Sequence, residues 1–216
     1  TRALVRETKK LTDKPFAINL NMEFPQEERL EVCLEEGATA VSFFWQDSSR
    51  LVDRAKAAGA TVMHTVASSE EAKKALDSGV DILVAQGWEA GGHVRGSVAT
   101  MALVPAVVDV AGGKPVIAAG GISDGRGIAA VLCLGACGAW VGTRFLASEE
   151  ADIHPEYRQH LFDAGEDDTA YLENLFDIGW RNAPHRVLRN STVSQWLAAG
   201  RPKSGERPGE KQVIGT

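Results

Sequence analysis

The residues that could do chemistry in this chain fall in three short segments. The first is Gln86-Gly87-Trp88-Glu89-Ala90-Gly91-Gly92-His93, where an amide side chain and an imidazole bracket two adjacent glycines. Gln86 offers both a donor and an acceptor, which suits the polar edge of a heteroaromatic ring. Gly91 and Gly92 leave room for a flat ligand against the main chain. His93 can carry or take a proton near neutral pH. A lone loop histidine is usually a solvated turn residue, so its weight comes from its neighbours. In the second segment, Val116 to Gly125, an apolar strand runs into Gly120-Gly121 and then a helix start at Ser123-Asp124. The third, Ala139-Trp140-Val141-Gly142-Thr143-Arg144, ends the next strand. Two successive strand ends thus present main-chain amides, a hydroxyl and a guanidinium, a set that suits a phosphate monoester. Tight turns also use glycine, but here two signals agree in position.

Alternating short elements must position these segments. β-branched and aromatic runs predict strands at Phe16 to Asn19, Ala40 to Trp45, Thr61 to Val66, Ile82 to Gln86, Val116 to Ala119 and Ala139 to Gly142. Amphipathic stretches predict helices at Arg2 to Leu11, Gln26 to Glu36, Ser48 to Ala58, Ser69 to Ser78, Met101 to Ala111 and Gly125 to Leu134. Gly37, Gly59, Gly79, Gly112 and Gly135 follow helical stretches where a left-handed C-cap favours glycine. The order is that of a parallel α/β architecture. Six strands complete a doubly wound sheet but leave an eight-stranded barrel open. A barrel often holds phosphate in the loops after its seventh and eighth strands. On that count the visible strands are three to eight, and the expected fold is a TIM-type (β/α)8 barrel whose first two strand-helix units are absent from this chain. Residues 1–150 are then the cofactor-binding barrel, and 151–216 a C-terminal helical or irregular extension with an extended tail.

Composition narrows the function classes. The 216 residues carry a net charge of -6, which gives no basic footprint for nucleic acid. No apolar run approaches the roughly 18 residues of a membrane span, and the N-terminus lacks the apolar core of a signal peptide. A cytoplasmic protein without membrane or nucleic-acid partners is expected. The three cysteines, Cys33, Cys133 and Cys137, read as small core residues in a reducing compartment. No second ligand pair accompanies Cys133 and Cys137, so no metal site is expected. His64 reads as a core or mouth residue beside Thr65, and His154-Pro155 as a helix start. Asp163 to Asp168 is an acidic turn. From about residue 170 the pattern breaks, and Trp180, His185, Arg186, Arg189 and Trp196 suit a cover over the barrel mouth or a contact between copies in a homo-oligomer. Gly200 to Glu210 reads as an extended tail.

The motifs together resemble the nitronate monooxygenase family, formerly called 2-nitropropane dioxygenases. The resemblance rests on Gln-Gly-x-Glu-Ala-Gly-Gly-His at 86 to 93, Ala-Ala-Gly-Gly-Ile-x-Asp-Gly-Arg at 118 to 126, Gly-Thr-Arg-Phe-Leu-Ala at 142 to 147, and Asn19. It spans nearly the whole chain. Two departures stand out. The first family strand, with its Ala-Pro-Met, is absent, and Val94 and Arg95 stand between His93 and Gly96 where many members have one residue. The resemblance implies an FMN-dependent barrel whose phosphate is held by Gly120, Gly121, Gly142 and Thr143. Asn19, Gln86, Gly91 and Gly92 would surround the isoalloxazine and ribityl regions, with His93 near the substrate. The implied reaction is oxidation of a small nitronate or nitroalkane by dioxygen to a carbonyl compound and nitrite. His93 would stabilise the anionic nitronate or remove the α-proton of the neutral nitroalkane. The rival readings are a flavin-dependent enoyl-[acyl carrier protein] reductase using NAD(P)H, and a phosphate-binding barrel without redox chemistry.

Overall fold

The structure is a computed structural model that describes residues 1–175, 180, 182–203 and 205–206. In chain order the elements are α1 (Arg2–Leu11), β1 (Ala17–Asn21), α2 (Glu27–Glu35), β2 (Ala40–Phe44), α3 (Ser49–Ala57), β3 (Thr61–Val66), α4 (Ser69–Asp77), β4 (Ile82–Gln86) and β5 (Gly92–His93). There follow α5 (Thr100–Val110), β6 (Val116–Ala119), α6 (Gly125–Cys133), β7 (Gly138–Trp140), α7 (Thr143–Leu146), α8 (Pro155–Asp163), β8 (Thr169–Leu172), β9 (His185–Leu188) and α9 (Ser191–Ala198). They form two compact units: Thr1–Trp88 with Gly96–Trp140, and Glu89–Arg95 with Val141–Thr216.

In the first unit six strands make one parallel sheet in the order β1-β2-β3-β4-β6-β7. A doubly wound sheet reverses its order part-way and carries helices on both faces. Here the order never reverses, so every crossover steps the same way and the helices cover one face. That is the wall of a TIM-type (β/α)8 barrel, as the strand-end glycines predict. Val41, Phe43, Val62, Leu83, Ala85 and Ala118 are buried on the helix-covered face; on the other face Ser42, Val84 and Ala119 are buried as well, Phe44, Met63, Thr65, Gln86 and Ile117 keep partial exposure, and Asn19 is exposed. Leu51, Val52 and Ala55 of α3 and Leu103, Val104 and Val107 of α5 supply the buried helical stripes. His64 lies on the covered face with Nδ1 2.9 Å from the Ser48 hydroxyl, a core histidine with its polar atom satisfied.

The edges of the elements differ in ways that matter for the site. β1 continues to Asn21, paired with Phe44, so Asn19 sits mid-strand rather than at the strand end. β2 stops at Phe44 because Trp45 turns to φ 92°. β7 starts one residue and ends two residues earlier than its pattern predicts, leaving Val141 and Gly142 beyond the sheet. Helix-ending glycines adopt positive φ as expected, Gly79 at 91° and Gly135 at 95° among them. The cap of α4 is Ser68: its hydroxyl accepts from the Glu71 amide at 3.2 Å, and the Glu71 carboxylate accepts from Ala67 N at 2.8 Å. Ser68→Ala is expected to lower stability by about 1 kcal/mol in chemical denaturation. Of the cysteines only Cys33 is in the core. Cys133 and Cys137 are exposed: Cys133 ends α6, whose buried residue is Val131, and Cys137 lies in the link between α6 and β7.

The second unit contains a three-stranded antiparallel sheet, β5-β9-β8. Ala170, Leu172, Leu175, Val193 and Trp196 form its small core, with Val187 packed alongside. α8 begins at His154-Pro155 as predicted, and His154 Nδ1 accepts from the Glu156 amide. α9 is capped by Asn190, whose side-chain oxygen accepts from Val193 N at 2.9 Å. β8 and β9 escape a sequence reading because each is only four residues long. Within the predicted tail the Trp196 indole donates to the Pro202 carbonyl at 2.9 Å. Ser204 and residues 207–210 of that tail lie outside the described residues. No helix among the described residues is long and apolar enough to cross a membrane.

Candidate active site

The first unit contributes the carboxyl edge of its parallel sheet, where barrel chemistry resides. Gln86 ends β4 in register with Ala119, the residue before Gly120. Strand pairing therefore brings the Gln86 amide beside the Gly120-Gly121 turn. Gly120 and Gly121 have φ of 98° and 68°, two successive left-handed conformations that only glycine adopts cheaply. Thr100, at the start of α5, fixes this turn: its hydroxyl donates to the Gly120 carbonyl at 2.9 Å.

Gly87 follows Gln86 and donates its amide to Ala119 O at 2.8 Å. A Cβ at Gly87 would lie 2.0 Å from Thr100 Oγ1 and 2.6 Å from Thr100 N. Chain therefore crosses chain where only glycine fits. Gly87 and Thr100 were not among the predicted site residues. The available signal was a glycine directly after the strand-ending Gln86.

The N-terminus of α6 is already occupied. The Asp124 carboxylate accepts from Arg126 N at 2.8 Å and Gly127 N at 3.4 Å, and pairs with Arg126 Nη2 at 2.6 Å. Arg126 holds the exposed Asp124 carboxyl down to about 2, so it is charged at neutral pH. An anion at this edge meets the left-handed Gly120-Gly121 turn and a carboxylate at α6. Asn19 shares the Gln86 face of the sheet but stands on β1, three strands away from β4. Trp45 adds an unpredicted feature, since a bulky residue at φ 92° is a backbone outlier of the kind that gathers at functional edges.

The second unit holds His93. β5 pairs with β9 through Gly92 opposite Arg186 and His93 opposite His185, and Val94 N donates to Pro184 O at 2.9 Å. Gly92 needs its glycine, with φ at 74°. The His93 ring is half-buried and stacks on Trp180 with centroids 3.7 Å apart and planes at 25°. The His185 ring lies 5.6 Å away. Burial first, and His185 second, push His93 down to about 4, so its imidazole is neutral at pH 7.

Gly91 and Thr143 also meet in this unit: a Cβ on Gly91 would be 3.0 Å from Thr143 Oγ1. Gly142, the residue before α7, has φ of -99°, and open space surrounds it. Its glycine is thus not demanded by backbone conformation. Val94, one of the two residues between His93 and Gly96, is fully buried. Gln86 and His93, seven positions apart, belong to different units. Trp180 and His185 could not be assigned to the His93 surroundings from sequence, because they lie some 90 residues downstream in a stretch without periodicity.

Comparison with known proteins identifies the family of the chain. The sequence profile of the family described as nitronate monooxygenase matches residues 6–203. The chain is 38% identical over 204 residues to a (3aS,4S,5R,7aS)-5-hydroxy-7a-methyl-1-oxo-octahydro-1H-indene-4-carboxyl-CoA dehydrogenase of Mycobacterium tuberculosis, covering 93% of this chain and 56% of that protein. It is 34% identical to a probable nitronate monooxygenase of Bacillus subtilis, covering 80% of this chain and 61% of that one. Among solved structures, FabK from Thermotoga maritima matches with a TM-score of 0.83 at 36% identity, over 91% of this chain and 61% of that one. A nitroalkane oxidase from Streptomyces ansochromogenes matches at 0.80 and 26% identity, over 89% and 66%. The chain spans little more than half the length of these curated relatives. From the profile match and the shared barrel wall, the chain belongs to the nitronate monooxygenase family.

Proposed function

We propose that this chain carries the FMN-binding wall and the proton-handling histidine of an enzyme that oxidises small nitroalkanes or their nitronates with dioxygen, releasing a carbonyl compound and nitrite. The observation that carries the reading is His93, a half-buried imidazole stacked on Trp180 and neutral at pH 7. Its motif and the family supply the flavin context. FMN, when bound, supplies the redox step.

The donor set suits that cofactor. The successive left-handed residues Gly120 and Gly121 are assigned to the phosphate. Gly142 and Thr143 are assigned to the same group. The Gln86 amide is assigned to the polar edge of the ring system, Gly91 and Gly92 to the room a flat ring needs, and Asn19 to the more distant ribityl and ring contacts.

A neutral imidazole offers no charge to hold an anionic nitronate, and its ring lone pair can accept a proton. His93 therefore acts as the base for the α-proton of a neutral nitroalkane, and its ring N–H hydrogen-bonds the nitro group when the substrate arrives already ionised. The pH profile tests this. With a nitroalkane, kcat/KM is expected to stay level from neutral pH downward and to fall only near pH 4, where His93 protonates. A fall centred near 6.5, the ordinary histidine value, would contradict the buried neutral base.

A second reading, a flavin-dependent reductase or dehydrogenase of an acyl thioester using NAD(P)H, draws support from the 38% identical relative named for a CoA-linked substrate. The enoyl-[acyl carrier protein] reductase is its simplest form. The two readings separate on the electron donor. The free thiols suit the reducing cytoplasm in either case.

A further inference from the structure

Strand β2 closes on two aromatic residues whose rings do not alternate. Consecutive side chains of a strand point to opposite faces, which would set Phe44 and Trp45 on opposite sides of the sheet. Their ring centroids are instead 5.4 Å apart with planes at 58°, a tilted aromatic pair. The backbone explains it: Trp45 has φ of 92°, which breaks the alternation and brings the indole round to the Phe44 side. A bulky side chain in that region is costly and persists where the surrounding structure enforces it, commonly at ligand-binding edges.

The two rings differ in access. Phe44 lies on the face turned away from the helices, in register with Asn21, and keeps partial exposure. Trp45 is 5% exposed. The phenyl ring is therefore the open surface, and the indole stands beside it. Two contacts tie the turns after β1 and β2 together: Met22 N donates to Phe44 O at 2.8 Å, and Gln46 Nε2 donates to Glu23 Oε2 at 3.1 Å. Phe24, in the first of those turns, is 40% exposed. This apolar surface belongs to the carboxyl edge of the sheet, where barrel chemistry resides. Only β3 separates β2 from β4, and the register through β3 puts Phe44 on the same face as Gln86.

We propose that Phe44 is a substrate-contact residue for the apolar body of the substrate, with Trp45 as the positioning residue beside its ring. The proposal rests on the assignment of the Gln86 edge to the flavin and deepens that reading. It narrows the substrate class to nitroalkanes or nitronates carrying a body of several carbons, in preference to the shortest chains. A phenyl face offers no strong hydrogen bond to a nitro group, but gains with each methylene it covers.

The test uses full-length, FMN-loaded protein and two homologous series. Turnover is measured with 1-nitroalkanes from nitroethane to 1-nitrohexane, and equilibrium binding by calorimetry with unreactive straight-chain carboxylates from propanoate to heptanoate. Both kcat/KM and affinity are expected to rise about two- to fourfold per methylene. Phe44→Ala should remove most of that slope, costing 1-nitrohexane about tenfold more than nitroethane. Phe44→Leu, which keeps an apolar side chain, should retain more of it. In Trp45→Gly, glycine accepts the same φ without strain and removes the indole; its slope should fall between those of the native protein and Phe44→Ala.

A flat series in the native protein would overturn the proposal without any variant, and so would a native slope in Phe44→Ala. A native slope in Trp45→Gly would overturn the positioning role of the indole. Turnover that shows no dependence on chain length would leave the nitroalkane reaction standing and remove the subsite. Absence of turnover with every nitroalkane, alongside a carboxylate slope that Phe44→Ala removes, would sink the reaction and leave the apolar subsite standing.

Discussion

His93→Asn in the full-length, flavin-loaded protein is expected to reduce kcat/KM for a nitroalkane by about 10²- to 10⁴-fold, the range supplied by a positioned general base, while flavin content stays native. Asparagine retains a hydrogen-bond donor of similar reach but offers no lone pair that accepts a proton near neutral pH. Flavin is retained because none of the residues assigned to its phosphate or ring edge is altered. The loss should be smaller with a pre-formed nitronate, since its α-proton is already gone. Equal losses with both substrates would make His93 a binding group rather than a base. The same residue ties stability to pH. Its folded pKa, about 4, lies below the ordinary 6.5, so the unfolded chain takes up the proton first. His93 thus contributes stability above pH 6.5 that is lost as pH falls toward 4.

Gly87→Ala is expected to be among the most damaging small substitutions in the chain. The added Cβ would sit 2.0 Å from Thr100 Oγ1 and 2.6 and 2.7 Å from Thr100 N and Cα. The hydroxyl can rotate away, but the main-chain atoms at the start of α5 cannot. Relief requires moving β4 or α5, whose side chains Leu83, Leu103 and Val104 are nearly or fully buried. Overpacking of this kind costs about 1 to 3 kcal/mol and more where backbone must shift. The upper end, about 3 kcal/mol, is expected here, read from chemical denaturation of the variant. Because Thr100 also holds the Gly120 carbonyl, the folded fraction should bind FMN more weakly as well. Gly59→Ala is the contrast, with nothing within 4 Å of its Cβ but φ of 80°. It should show only the smaller cost of a left-handed alanine, of order 1 kcal/mol.

Much of the barrel wall was legible because a two-residue alternation and a helical period announce themselves locally. Thr61–Val66, Ile82–Gln86 and Val116–Ala119 have the boundaries their patterns predict. The choice between barrel and doubly wound sheet was settled by strand order, a long-range property, although the glycines at two strand ends pointed the right way. Around the site, Gln86 and Gly120 stand in register on neighbouring strands. Placing Asn19 at a strand end failed because β2 extends the pairing to Asn21, which single-strand propensity cannot reveal. The surroundings of His93 were the least legible part. His185 reaches it through an antiparallel pair of four-residue and two-residue strands, too short to leave a periodic trace, and Trp180 lies outside both strands. Thr100 was equally silent, since a threonine at a helix start ordinarily signals capping and here anchors a glycine turn.

The most direct measurement is anaerobic mixing of the purified full-length protein, after loading with FMN, with an alkyl nitronate or with NADH or NADPH, followed by the visible absorption of the flavin. The expected result is a yellow protein that is bleached by the nitronate, recovers its colour on admission of dioxygen with release of nitrite, and is bleached slowly or not at all by the nicotinamides. Rapid bleaching by NADH or NADPH with none by nitronate, or a protein that takes up no flavin, would contradict it.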